Sequence, residues 1–401
     1  MDLKINIVRV ICKIVTFVVP VKRQRVLFTS FPDLSDNSWA LFKYYYNNSR
    51  QLEFVWLVES KSLAVRDKIK SYPNVKVIKR KSARGFFAYA RAALVFHTHG
   101  IFSFNKIRFN NKKIIVNLWH GMPIKQVGKL DSKYTGPYKV ESRKSHFAIA
   151  TSEFYRDIIS SSFAIPKECV LNFGLPRNDI LYSRISRERK NLIFDELEIS
   201  TDNKLILWLP TYRRSTVGDI RKDSDYDNFI DEIGDDFLRN IDDVAGVNNL
   251  QIVIKLHPMD SLNGRLDTIR QDFKSIKIIS AAQWSDKKLD LYDVLAASEL
   301  LISDLSSVLI DALPSRLKIA TTTQDFSSYT REVIPKAVEL WSEVPKLVEP
   351  DDLIRVIQAP KCLSASIINT FNMQADGNSC EQIFNYFLNL NIKYLSVNDA
   401  D

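Results

Sequence analysis

The strongest constraint on the fold is an alternation of short apolar runs with helix-compatible stretches, sustained from Arg25 to Ala320. Val26 to Thr29, Phe54 to Val58, Val75 to Ile78, Leu94 to His97, Ile114 to Leu118, Phe147 to Ala150 and Val170 to Phe173 read as strands, with helical stretches such as Trp39 to Asn47 and Ser152 to Ser160 between several of them. Strand-like runs alternating with helical stretches follow the logic of βαβ units. A charged, helix-compatible segment from Leu181 to Ser200 interrupts the series, which restarts with Leu205 to Leu209, Ile252 to Leu256, Ile276 to Ile279, Leu300 to Ser303 and Lys318 to Ala320. The expected fold class is therefore α/β, with two Rossmann-like domains, residues 25–180 and 181–401, the second carrying terminal helices. A chain of 401 residues is long enough for two separate cores.

The unusual polar residues gather where such folds place ligands. His97 and His99, His120, Ser152, Gly174 to Asp179, Thr211 to Arg214, His257 and Asp304 to Ser307 all fall at or just past the carboxyl end of an expected strand. Open α/β sheets bind ligands in the crevice at that edge. If both sheets are parallel, the two edges can face each other across one cleft that holds a nucleotide-activated donor and an acceptor.

The stretch Ile114 to Lys129 is the most informative. Its apolar run breaks into Trp119, His120 and Gly121, so an imidazole is delivered at a strand end. Pro123 can start a helix, on which Lys125 and Lys129 would share one face. The same pattern suits a core histidine between two solvated lysines. In the second half, Pro210-Thr211-Tyr212-Arg213-Arg214 follows a strand with two guanidiniums, groups that pair with phosphate oxygens or lie solvated. Lys255-Leu256-His257-Pro258 ends a strand in a histidine, catalytic or structural. Ser303-Asp304-Leu305-Ser306-Ser307 offers hydroxyls before a helix from Val308 to Leu313, a phosphate seat or a plain helix cap.

In order and spacing, these motifs resemble the CDP-glycerol glycerophosphotransferases, the teichoic-acid primases and polymerases and the related capsule polymerases. The resemblance rests on Asn117-Leu118-Trp119-His120-Gly121-Met122-Pro123-Ile124-Lys125 with Gly128-Lys129, Gly174-Leu175-Pro176-Arg177-Asn178-Asp179, Pro210 to Arg213, His257-Pro258 and Ser303 to Ser307. It extends through Asp325, Tyr329 and Asp376-Gly377. Two departures stand out: no acidic residue is evident near the first histidine, and the first hundred residues carry no matching motif.

The resemblance implies a GT-B-like fold and transfer of an alditol phosphate, glycerol phosphate foremost, from a CDP-alditol donor to a hydroxyl of a lipid-linked or polymeric acceptor, with release of CMP. It casts His120 as general base on the acceptor and His257 as the donor-side histidine. The substrate-binding set it implies is Gly121, Lys125, Arg177, Thr211, Arg213, Ser303, Asp304, Ser306, Ser307 and Asp311. The histidine-proline and paired-serine motifs also resemble those of bacterial sialyltransferases, so a CMP-sugar glycosyltransferase is the alternative. A non-enzymatic membrane-surface protein would leave the polar strand ends without a reason.

The first 24 residues pose a separate question. Asn6, Arg9, Lys13 and Thr16 form one polar stripe along an Ile- and Val-rich segment, with Lys22, Arg23 and Arg25 behind it. The segment is shorter than the roughly 20 apolar residues that span a bilayer. It reads as an amphipathic helix on a membrane surface, or as a first helix on the protein's own core. The net charge of +9 favours an anionic partner, be it nucleotide phosphates, an anionic polymer or an anionic membrane surface, or is generic basicity, and does not choose among them; with the resemblance, the partners expected are a CDP-alditol and the membrane's cytoplasmic face, with no nucleic acid. Cys12, Cys169, Cys362 and Cys380 lack metal or redox spacing. The carboxylates Asp223, Asp225 and Asp227 fail as a calcium loop, because Asn228 and Gly234 stand where glycine and glutamate are needed. No metal and no cofactor are expected.

Overall fold

The computed structural model describes residues 14–15, 18–99, 113–131, 146–213, 228–260, 262, 273–287, 289–322, 332–373 and 376–396. The stripe residues Asn6, Arg9, Lys13 and Thr16, the carboxylates Asp223 to Asp227, and Arg214, Asp325 and Tyr329 lie outside them.

The chain forms two units, each built on a parallel sheet. The first sheet comprises β1 (Lys22–Thr29), β2 (Glu53–Val58), β3 (Lys76–Lys79), β4 (Ala92–His97), β5 (Ile114–Asn117), β6 (His146–Ala150) and β7 (Val170–Asn172), in the order β3-β2-β1-β4-β5-β6-β7. The second comprises β8 (Lys204–Leu209), β9 (Leu250–Lys255), β10 (Ile276–Ile279), β11 (Leu300–Ser303) and β12 (Lys318–Thr321), in the order β10-β9-β8-β11-β12. Each apolar run read from the sequence lies on one of these strands.

Alternation across the first sheet explains its double cover. Phe28 stacks on Trp56 and Phe96, at 5.6 and 5.3 Å between centroids, and meets the edges of Phe42 and Tyr45 from the helix Asp36–Asn48. The alternate residues Leu27, Val55, Leu57 and Val95 face the other way, where Ala88 and Tyr89 of the helix Ala83–Ala90 cover them. With both faces buried, strand polarity has nowhere to go but the ends.

The unit boundary falls at Asp179–Ile180, but two segments cross the simple division at 180. The helix Ser379–Ser396, expected with the second domain, belongs to the first. Its Phe384 packs edge-on against Tyr45 at 4.7 Å, and Phe387 meets Phe147 at 5.3 Å. Asp179 accepts from the amides of Ser379 (3.0 Å) and Cys380 (2.8 Å), capping that helix. Conversely, Pro123–Val127 belongs to the second unit. The expected helix from Pro123 is not formed there. Lys125 instead makes an antiparallel bridge with Val333, flanked by bonds from Gln126 N to Glu332 O (2.9 Å) and from Ile334 N to Ile124 O (2.8 Å). Those backbone groups, satisfied by a strand-like neighbour, are unavailable to a helix. Lys129 falls in a short 3-10 turn, Gly128–Leu130.

Candidate active site

In the first sheet the strand order reverses between β1 and β4, whose ends are aligned at Thr29 and His97, and His97 is in register with Asn117 of β5. The residues just past these strands form one constellation. Trp119 adopts a left-handed backbone, φ 59°, and Gly121 one at φ 131° that side-chain-bearing residues avoid. Left-handed conformations cost a non-glycine residue about 1–3 kcal/mol and persist where the surroundings over-determine them. Here Asn117 Oδ1 accepts from Trp119 N (3.0 Å), and Asn37 Nδ2 donates to the carbonyls of Leu118 (3.2 Å) and Trp119 (3.0 Å). Arg177 N donates to Asn37 Oδ1 (3.1 Å), and Arg177 Nη1 donates to Asp36 Oδ1 (2.7 Å) and to the His120 carbonyl (3.1 Å). The buried guanidinium of Arg177, expected on substrate, is thus turned onto the polypeptide that carries His120.

His120 is an exposed residue. Its Nδ1 lies 3.2 Å from the Thr98 carbonyl. A carbonyl only accepts, so Nδ1 carries the proton and Nε2 of the neutral ring keeps its lone pair. The protein packed around the ring lowers its pKa; the Asp36 carboxylate and the Thr98 carbonyl oppose that shift, and Arg177 reinforces it. The ring stacks on His99, with centroids 3.9 Å apart and planes 17° apart, and lies near-parallel to Trp119 at 4.7 Å. Burial, with the neighbouring His120, lowers the His99 pKa to about 4. Ser152 is buried and caps the helix Glu153–Phe163 through Tyr155 N (3.3 Å), a structural role.

The second sheet reverses its order between β8 and β11, and three of the expected substrate ligands there, Thr211, Arg213 and Asp304, close on one another. Asp304 accepts from Thr211 N (3.0 Å), Thr211 Oγ1 (2.9 Å) and Arg213 Nη1, while Arg213 also pairs with Glu232 and donates to Thr211 O (2.9 Å). Ser303 Oγ donates to the Leu209 carbonyl, and Asp311 accepts from the Tyr292 hydroxyl. The side chains of Arg213 and Asp304 are each 2% exposed. Arg213, Ser303, Asp304 and Asp311, expected on substrate, are here buried and bonded within the protein, and Thr211 is held by Asp304 and Arg213. A carboxylate buried beside a guanidinium pairs with it, because either charge alone would be costly to bury.

Half-buried groups remain at that edge: His257, Ser306, Ser307 and Lys255. Met259 N donates to His257 Nδ1 (3.1 Å), so Nδ1 holds the lone pair and Nε2 of the neutral ring carries the proton. Burial, reinforced by Lys255 and opposed by Asp304, lowers the His257 pKa to about 4. The two histidines thus have opposite tautomers, one presenting a base and the other a donor. Ser306 caps the following short helix through Val308 N at 3.4 Å. Lys255 lies over the Trp284 ring at 5.4 Å, and burial lowers its pKa to about 8. Among the described residues no group of three or more His, Cys, Asp or Glu side chains could hold a metal ion.

Asp36 and Asn37, which motif reading missed, hold the polypeptide around His120: Asp36 pairs with Arg177 and sets its carboxylate charge near the imidazole, and Asn37 bonds the carbonyls of Leu118 and Trp119. The strand-end rule, applied to β1 as it was to the later strands, would have marked them.

Residues 11–389 match the family model described as CDP-Glycerol:Poly(glycerophosphate) glycerophosphotransferase. The teichoic acid poly(glycerol phosphate) polymerase of Staphylococcus epidermidis is 25% identical over 315 residues, covering 73% of this chain and 39% of that protein. The teichoic acid glycerol-phosphate transferase of Staphylococcus aureus is 27% identical over 301 residues, covering 71% of this chain and 70% of that one. The chain spans about two fifths of the length of the polymerases from Staphylococcus epidermidis and Bacillus subtilis. In fold it is similar to the wall teichoic acid polymerase TagF, with a TM-score of 0.76 at 19% identity, covering 96% of this chain and 94% of that one.

Proposed function

The chain belongs to the CDP-glycerol:poly(glycerophosphate) glycerophosphotransferase family, and on that premise we propose that it transfers glycerol phosphate from CDP-glycerol to a hydroxyl of a lipid-linked or polymeric acceptor, releasing CMP. The observation that carries this reading is the pair of opposite tautomers. With Nδ1–H held by the Thr98 carbonyl, Nε2 of His120 takes the proton of the attacking hydroxyl as its oxygen bonds to the glycerol-bearing phosphorus. A well-placed base of this kind contributes roughly 10²–10⁴-fold. The bond from that phosphorus to the CMP oxygen breaks, and the oxygen leaves with the electron pair. His257 Nε2–H, Lys255 and the hydroxyls of Ser306 and Ser307 meet the charge that develops on the leaving phosphate.

The site of action we propose is the cytoplasmic face of a membrane, in the synthesis of a teichoic-acid-like or capsular polymer. No helix among the described residues is long and apolar enough to cross a bilayer. The polar stripe Asn6, Arg9, Lys13 and Thr16 supports attachment through the amino-terminal segment; of the basic residues behind it, Arg25 is buried against Glu53 and Lys22 also reaches that carboxylate, so the cluster adds less than its sequence suggests.

Mass spectrometry after incubation with CDP-glycerol, CDP-ribitol or a CMP-sugar, each with a lipid-linked glycerol phosphate acceptor, tests the reading. The expected result is CMP release with an acceptor gain of one glycerol phosphate. A gain of one sugar from the CMP-sugar would replace it with the sialyltransferase-like reading, and no gain from any donor would refute both.

A further inference from the structure

We propose that His99 is a positioning residue for His120, a flat plate that holds the ring in the one orientation in which Nε2 points away from the protein; the inference rests on reading His120 as the acceptor-side base. The bond from Cβ to a histidine ring is an sp³–sp² torsion with a broad, roughly two-fold profile, so nothing intrinsic keeps Nδ1 rather than the ring carbon at the Thr98 carbonyl. A single 3.2 Å hydrogen bond on an exposed residue is a weak restraint. Stacking is a stronger one. To flip, the ring must pass through an orientation perpendicular to its present plane, and His99, at 3.9 Å and 17°, occupies the space that this requires.

His99 is itself anchored. Its Nδ1 lies 2.9 Å from Thr98 Oγ1, and Phe31 meets its ring edge-on at 5.7 Å. Thr98, buried at the end of β4, therefore grips both rings, His120 through its carbonyl and His99 through its hydroxyl. Close approach also makes the pair unable to carry two protons comfortably, which keeps both rings neutral where a base is needed.

The chain has only five histidines, so ¹⁵N labelling of histidine gives five pairs of ring signals, Nδ1 and Nε2, assignable one residue at a time by substitution. In the native protein His120 should show the Nδ1–H tautomer. In His99→Ala it should become a mixture of tautomers, and in His99→Phe, which restores a flat ring without a titrating group, it should return to Nδ1–H. Turnover of CDP-glycerol should follow, falling about tenfold to a hundredfold in His99→Ala with KM for CDP-glycerol unchanged, and recovering in His99→Phe. An unchanged tautomer in His99→Ala, or a Phe variant as impaired as the Ala variant in both readouts, overturns the proposal. His120→Ala, run in parallel, separates the two layers. Full turnover there defeats the base assignment, whereas loss there beside normal turnover in His99→Ala defeats the positioning role alone.

Discussion

Arg213→Met decides between two uses of one guanidinium. The motif places Arg213 on donor phosphate, whereas its side chain is 2% exposed and paired with Asp304, itself 2% exposed, and with the more open Glu232. Met keeps most of the volume and removes the charge, leaving the buried Asp304 carboxylate with the bonds from Thr211 and no guanidinium. Breaking one side of a buried pair costs about 3–5 kcal/mol. For a unit of roughly 200 residues each kcal/mol is worth about 2–4 °C, so the melting transition of the second unit should fall by about 6–20 °C. Replacing both charges, in Arg213→Met with Asp304→Asn, should recover much of that loss, because the uncompensated carboxylate is gone.

A pH corollary concerns Asp260, whose carboxyl is raised to about 6 by burial, against the opposing Leu262 amide and Arg213 charge. Between about 4, the carboxyl's unfolded value, and 6 the native state holds more protons than the unfolded one, so this group's contribution to stability falls as pH rises through that window. Arg213→Met removes a charge that favours the carboxylate, so the window should extend further upward. Calorimetry at several pH values, with CDP-glycerol affinity measured below the transition, is the assay. A variant that melts within 2 °C of native yet binds CDP-glycerol at least tenfold more weakly would show the structural reading of Arg213 to be wrong.

Other expectations follow from the same geometry. His120→Ala should leave CDP-glycerol affinity by calorimetry within about threefold while turnover falls by roughly 10²–10⁴; because the pKa of His120 is lowered, the acid limb of native kcat/KM should lie below about 6.5, the ordinary imidazole value, and a limb above 7 would contradict it. Lys255→Met should weaken CDP-glycerol binding, since a hydrogen bond to a charged oxygen is worth about 1.5–3 kcal/mol; native affinity should decline as pH rises through about 8, where the ammonium is lost, and pH-independent affinity from 7 to 9 would remove Lys255 from the donor site. A chain beginning near Val21 should sediment with anionic liposomes less than the full chain, whose binding should weaken in salt without vanishing. Equal binding of both would place the first helix on the protein's own core.

The sequence by itself determined the strands and where their chemistry would lie. Apolar runs such as Phe54–Val58 and Leu300–Ser303 are buried on both faces, so the residues between strand and helix are the first free to be polar, and His120 and His257 were legible for that reason. Local signals of this kind need only neighbours in the chain. Partners from distant segments were decided by tertiary structure. Neither the motif that read Arg213 as a phosphate ligand nor the resemblance that put Arg177 on substrate disclosed that Asp304, 91 residues away, and Asp36, 141 residues away, lie against them. A charge in a sequence does not disclose its counter-charge; only the fold does, because burial forces the pairing. The same holds for Lys125, where Pro123 suggested a helix but the backbone of residues 332–334 claimed its hydrogen bonds. The tautomers of the two histidines, on which the proposed division of labour rests, are set by a carbonyl at Thr98 and an amide at Met259. Backbone groups are identical in every residue, and only their placement in space gives them a role.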